Sequence, residues 1–137
     1  MTNGCNGVII GIIIEVTDKA VRDKLSKMNA DVMGAKIDPF YGAPVVLVVL
    51  ADKSVGTYKY DGSLVMENLM LAANAVGLGS CWIHRAKEEF ESEEGRELLR
   101  QLGISGDYEG IGHCILGYPA GDIPAEKPRK ENWVYKI

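Results

Sequence analysis

A concentrated positive face is missing from this chain. Its 15 Lys and Arg stand against 19 Asp and Glu, a net charge of −4 over 137 residues. Binding a phosphate backbone takes a clustered basic surface, so nucleic acid is not expected as a partner. Only KPRK, Lys127 to Lys130, gathers positive charge. A membrane span is missing as well. Val8 to Ile14 is strongly apolar, but crossing a bilayer takes ~20 such residues. That run also lacks the basic start and the small-residue cleavage site of a secretory signal. A soluble protein is expected. Cysteine is scarce and odd in number, three in all, which points to reduced thiols in the cytoplasm. There is no internal repeat, and the length suits one domain, residues 1–137, rather than two.

The signatures of nucleotide binding are also absent. No G-x-x-x-x-G-K-[ST] occurs. The two G-x-G pairs, Gly77–Gly79 and Gly110–Gly112, lack a third glycine, with Trp82 and Ile115 in its place. The first pair follows a helix rather than a strand, which rules out the dinucleotide turn. Cys81, His84, His113 and Cys114 offer four soft ligands. Alternation along strands leaves at most one Cys and one His per face, short of a closed zinc site, so no metal is expected. Both cysteines read as core thiols and His113 as a hydrogen-bonded core residue. A thiol-dependent enzyme built on Cys81 or Cys114 stays as a further alternative. Glu88, Glu89, Glu91, Glu93 and Glu94 read as a solvated helix start that complements the dipole.

What is present is an alternation of apolar strands and helical patterns. Val8–Val16 and Ala43–Asp52 read as strands covered on both faces. Thr17 or Asp18 caps a helix to about Met28, with Val21, Leu25 and Met28 on one side. Tyr58 and Tyr60 fall in a polar loop. After them Asp61 or Ser63 opens a helix that Gly77 ends. Its apolar residues, from Leu64 to Val76, cover nearly the whole circumference. Such a helix must be buried all round, which in a chain this small predicts a shared core in a homodimer. Ser80–His84 reads as a short strand, Ser92 caps a helix ended by Gly103, and Gly110–Tyr118 reads as the last strand. Residues 119–137 form an extended arm, and its apolar Trp133, Val134, Tyr135 and Ile137 are expected to pack on a neighbouring subunit. In that extended segment Lys127 and Arg129 share a side and can reach one phosphate; the alternative is a solvated loop. The class is α+β, a small mixed sheet flanked by helices.

Four segments, DPFYGAPVVLVVLAD, DGSLVMENLMLAANAVGLGSCWIHRA, GIGHCILGYPAG and KPRK, together resemble the nitroreductase family of FMN-dependent oxidoreductases. The resemblance implies a nitroreductase-like sandwich and a homodimer with FMN at the subunit interface. It implies that backbone groups around Ile83, His84 and Arg85 approach the flavin N5 and O4 edge, and that Lys127 and Arg129 meet its phosphate. Tyr58 and Tyr60 would lie near the substrate opening. The implied activity passes a hydride from NAD(P)H through flavin N5 to a nitroaromatic, quinone or similar small acceptor in a ping-pong cycle. No catalytic side chain is then required. The family's Arg-Ser-x-Arg segment has no counterpart, and of its Ser/Gly-x-Asn-x-Gln-Pro-Trp stretch only Gly4 and Asn6 can be matched. Asn6 is the implied flavin contact there. The alternative is a truncated relative with weakened or lost FMN binding, acting as a non-catalytic dimeric binding protein.

Overall fold

The computed structural model describes residues 11–122 and 125–137. Asn6, Gly4 and the first residues of the strand expected from Val8 lie outside the described residues. Among these residues eight elements follow in order: β1 Gly11–Val16, α1 Lys19–Met33, β2 Val45–Asp52, α2 Tyr58–Ala75, β3 Gly79–Ile83, α3 Ala86–Glu91, α4 Glu93–Gln101 and β4 Tyr108–Gly117. The strands form one sheet in the order β1-β2-β4-β3. Among the described residues all three pairings are antiparallel, so the α+β class stands but the sheet they form is antiparallel rather than mixed.

β2 lies inside the sheet, and Val46, Val48, Val49, Leu50 and Ala51 are fully buried, as the unbroken apolar run predicts. Its alternation divides the core. Val46, Val48 and Leu50 pack with Ile83, Ile115, Leu25, Met28, Phe40 and Phe90 beneath α1 and α3. Val49 packs with Met66 and Cys114, and with Trp82 and Ile111 around them, beneath α2. β1 differs from its expected reading. It is an edge strand whose Ile12 and Ile14 join the first cluster, while Ile13 on the opposite face is 48% exposed.

Glycines 110 and 112, which looked like a loop for a nucleotide, are sites of close approach within β4. A Cβ on Gly110 would sit 2.3 Å from the Ala86 carbonyl oxygen, and one on Gly112 would sit 2.3 Å from Trp82 Nε1. The register shifts between them, so that Val49 pairs with Gly112 and Leu50 with Gly110. This β-bulge leaves Ile111 unpaired, and it packs into the α2 cluster.

Several helix boundaries move. Asp18 caps α1 by accepting from Val21 N at 2.9 Å, and the helix runs on to Met33. α2 opens at Tyr58, so Tyr58 and Tyr60 belong to its first turn rather than to the loop before it. On the outer face of α2, Leu64 and Leu71 are 58% and 57% exposed in the single chain, and Val76, just beyond its end, is 71% exposed. Ser92 caps α4 as expected, through Gly95 N. The extra helix α3 precedes it and packs on β4. Glu89 therefore faces the core and is buried, not solvated. Cys81 is exposed rather than a core thiol, whereas Cys114 is buried. Residues 119–122 and 125–137 form no helix or strand and stand exposed. No helix among the described residues is long and apolar enough to cross a membrane.

Candidate functional site

Three of the expected site residues meet where β3 turns into α3. Ile83 closes the strand with its side chain in the core, His84 is exposed and Arg85 is half-buried. Arg85 takes φ 80°, the left-handed region. That conformation costs a residue with a Cβ about 1–2 kcal/mol, so neighbouring bonds must hold it. Those bonds come from α1. Asn29, fully buried, accepts from Arg85 Nε at 3.0 Å and donates to the His84 carbonyl at 2.7 Å. The Arg85 carbonyl accepts from Glu89 N at 3.1 Å, the first bond of α3. With both carbonyls turned to internal donors, the N–H groups of Ala86, Lys87 and Glu88 open the helix without helical partners.

The turn forms a ridge between two clefts, and His84 lines both. One, of about 250 Å³, is walled by Met33, Ile37, Pro39, Tyr41 and Cys81. The other, of about 240 Å³, is walled by Lys59, Ser63, Trp82, Lys87 and Glu109. The first wall is fixed by Asp38. Its carboxylate accepts from Arg22 Nη2 at 2.6 Å, Ser26 Oγ at 2.6 Å, Gly42 N at 2.7 Å and Phe40 N at 3.0 Å. Burial pushes this carboxyl up, but the donors outweigh it and hold Asp38 well below the usual carboxylate range. In the second wall, Tyr58 donates to Glu109 Oε2 at 3.2 Å, and Lys59 lies 3.3 Å from Glu109 Oε1. Tyr58 thus braces a cleft wall through Glu109, while Tyr60 is exposed and lines neither cleft. A larger groove, about 970 Å³, runs along α1 away from the turn. Its Arg22, Asp23, Lys27, Asp31 and Asp38 are paired with one another, so it offers little unspent chemistry.

Beneath the turn, Glu89 and His113 are both fully buried, with His113 Nε2 2.9 Å from Glu89 Oε2. Burial pushes the Glu89 carboxyl up to about 8, against the pull of Asn29 and Arg85. Burial, and then the Arg85 charge, lowers His113 to about 3. The pair is therefore neutral near pH 6, with a carboxylic acid against a neutral imidazole. Burial, then neighbouring Cys81, raises the Cys114 thiol to about 11, which keeps it protonated at neutral pH. Lys127 and Arg129 stand exposed, join no ion pair among the described residues and line neither cleft at the turn. Sequence reasoning missed Asn29 and Glu89. The available signal was spacing, for Asn29 follows Leu25 and Met28, and Glu89 falls between Ala86 and Phe90, at core positions of their helices.

Comparison with known proteins bears on this arrangement. Residues 12–118 match the model of the Nitroreductase family. A protein of Archaeoglobus fulgidus named "Putative NADH dehydrogenase/NAD(P)H nitroreductase" is 33% identical over 103 residues, 72% of this chain and 56% of that protein. The chain thus spans just over half the length of that relative. Among solved structures, a nitroreductase with bound FMN from Bacteroides fragilis superposes with a TM-score of 0.81 at 22% identity, covering 93% of this chain and 76% of that one. An FMN-dependent nitroreductase from Clostridium difficile gives 0.75 at 25% identity, covering 98% and 80%. The family match spans β1 to β4 and includes the β3–α3 turn and the clefts beside it, and the chain belongs to the nitroreductase family.

Proposed function

We propose that this chain forms an FMN-dependent NAD(P)H oxidoreductase that acts as a homodimer on nitroaromatics, quinones or similar acceptors. The observation that carries this reading is the ridge at His84–Arg85. It is exposed at His84 and half-buried at Arg85, set between two clefts, and has its carbonyls bonded inward. Such a turn offers backbone donors to the polar edge of a planar ligand, which suits an isoalloxazine ring. Lys127 and Arg129, exposed and without ion-pair partners among the described residues, suit a phosphate. The donor set therefore fits FMN, with Ile83, His84 and Arg85 along the ring edge, Lys127 and Arg129 at the phosphate and Asn6 as a further contact. Held by these residues, FMN would supply the redox chemistry that links NAD(P)H to the acceptor in a ping-pong cycle.

The chain's own work is to bind and orient. The turn fixes the ring edge, Tyr58 and Tyr60 flank the acceptor's approach, and no side chain acts as nucleophile. The exposed face of α2, through Leu64 and Leu71, is where the second subunit packs, and the apolar arm 119–137 lies across that subunit. Unpaired Cys81 and Cys114 suit the reducing cytoplasm. The test is a visible absorption spectrum of the purified full chain, before and after incubation with excess FMN. Flavin bands that stay with the protein through gel filtration are expected, together with NADH- or NADPH-driven reduction of a nitroaromatic or quinone.

A second reading, a non-catalytic dimeric binding protein with weakened FMN binding, is favoured by one observation. Lys127 and Arg129 line neither cleft at the turn. A dimer that retains no flavin decides for it.

A further inference from the structure

Three polar side chains sit in the apolar layer beneath α1 and α3: Asn29, Glu89 and His113, all essentially inaccessible to solvent. Apolar residues of similar volume would usually give a core at least as stable. Neither the packing of the sheet nor any group proposed for the reaction calls for them.

Their bonds run in one direction, towards the turn. His113 Nε2 meets Glu89 Oε2. Glu89 Oε1 accepts from Asn29 Nδ2. That same nitrogen donates to the His84 carbonyl, while Asn29 Oδ1 accepts from Arg85 Nε. An amide group has two ends to offer, and Glu89 together with the His84 carbonyl decides between them. With an accepting oxygen at Glu89 and another at His84, the Nδ2 end must face both, which leaves Oδ1 for the guanidinium. A reversed amide would set oxygen against two acceptors and nitrogen against a donor. The turn on which this converges holds a left-handed arginine, a conformation that persists only when its surroundings enforce it.

We infer that Asn29, oriented by the Glu89–His113 pair, is the positioning residue of the β3–α3 turn. It holds Arg85 in its left-handed conformation and so sets how the His84 and Arg85 backbone meets the flavin edge, the last clause resting on the function proposed above. The protonation of the pair is thereby tied to the turn. The groups that face the pair can be named element by element. Asn29 comes from α1 and is uncharged; Arg85 comes from the turn; Glu88 lies beside Glu89 on α3. Phe40, from the loop before β2, and Phe90, from α3, present ring edges to His113. Among the described residues, Arg85 is thus the cation whose charge acts on both members, and it belongs to the segment being positioned.

The decisive measurement uses the full chain without cofactor. Amide NMR shifts of residues 84 and 85 are followed between about pH 6 and pH 9 in chains that carry His84→Gln, so that no imidazole on the turn itself contributes to the shifts. Both amides should titrate together in this otherwise native protein. In Glu89→Gln, which keeps an accepting oxygen for Asn29 but has no carboxyl proton to lose, they should hold their low-pH shifts throughout. Asn29→Ala should displace both amides at every pH and weaken FMN binding about tenfold, read by quenching of flavin fluorescence. A role confined to core packing would leave the two amides without titration in the chain that keeps Glu89, or leave the titration intact in Glu89→Gln; either result overturns the inference. If Asn29→Ala does not fold, the titrations with Glu89 kept and with Glu89→Gln decide alone. Failure of the native chain to bind FMN overturns the proposed function, and the cofactor-free spectra still decide the role of Asn29.

Discussion

His113 and Glu89 lie 2.9 Å apart at the centre of the protein, neither reached by solvent, and their proton affinities are displaced in opposite directions. Folding therefore couples to pH through both. From about pH 3 to 6.5, the unfolded chain holds a proton on His113 that the native one does not, so stability rises with pH. From 4.5 to about 8, the native chain holds on Glu89 a proton that the unfolded one has lost, so stability falls with pH. The two effects oppose each other between 4.5 and 6.5, which predicts a plateau there and a decline towards pH 8. Glu89→Gln should abolish that alkaline decline. Urea unfolding at a series of pH values checks it, and a native midpoint that climbs from pH 6.5 to 8 would contradict it.

Asp38 contributes in the acid range. Its folded affinity for protons is lowered, so its stabilisation is present above the ordinary value of 3.8 and is lost as the pH falls below it. Asp38→Ala also leaves the largely buried Arg22 without its 2.6 Å partner. A loss of about 2 kcal/mol in urea is expected, since hydrogen bonds to charged groups contribute about 1.5–3 kcal/mol.

Gly110→Ala should be costly despite its single added carbon. The new methyl would meet backbone, the Ala86 carbonyl at 2.3 Å, and not a side chain able to rotate away. Overpacking of this kind costs about 1–3 kcal/mol. Because Ala86 opens α3, FMN affinity should fall together with the unfolding midpoint, whereas Gly121→Ala, with nothing within 4 Å of its Cβ position, serves as the control.

Leu64→Glu and Leu71→Glu test the subunit contact. Both side chains are more than half exposed in the single chain, so the protomer should keep its helical circular dichroism. Sedimentation should show monomers, because a buried unpaired carboxylate opposes association. Dimers that survive both substitutions would place the interface elsewhere.

Lys127→Ala and Arg129→Ala should each weaken FMN binding about tenfold, the effect of losing one charge-assisted bond. The loss should shrink as salt is added. Riboflavin, which lacks the phosphate, should bind the native and substituted chains alike; a preference for the native chain would remove these residues from the phosphate.

Much of the fold was legible because the hydrophobic period reports burial directly. The run at β2, the Asp18 and Ser92 caps and the end of α2 at Gly77 all stand where the pattern placed them. Other features depend on partners distant in sequence. Whether strands run parallel or antiparallel leaves no trace in a single strand, so the sheet was expected to be mixed. Glu89 looked like one more acid in an acidic stretch, because its role depends on Asn29, sixty positions earlier. Likewise the purpose of Gly110 and Gly112 appears only once Ala86 and Trp82 are packed against them. The turn at His84–Arg85 was found through family resemblance, while the side chains that hold it came from the structure.

The order β1-β2-β4-β3 has a consequence for how the chain is made. β4 leaves the ribosome after β1, β2 and β3, yet it lies between β2 and β3 and bonds to both. Until it emerges, β3 has no neighbour in the sheet, and Gly110 cannot seat against the start of α3. The nascent chain must therefore wait with its central slot open and its valines uncovered. Among the described strands, synthesis up to Gly103 yields the β1–β2 pair alone, and closure of the sheet is a late, long-range event.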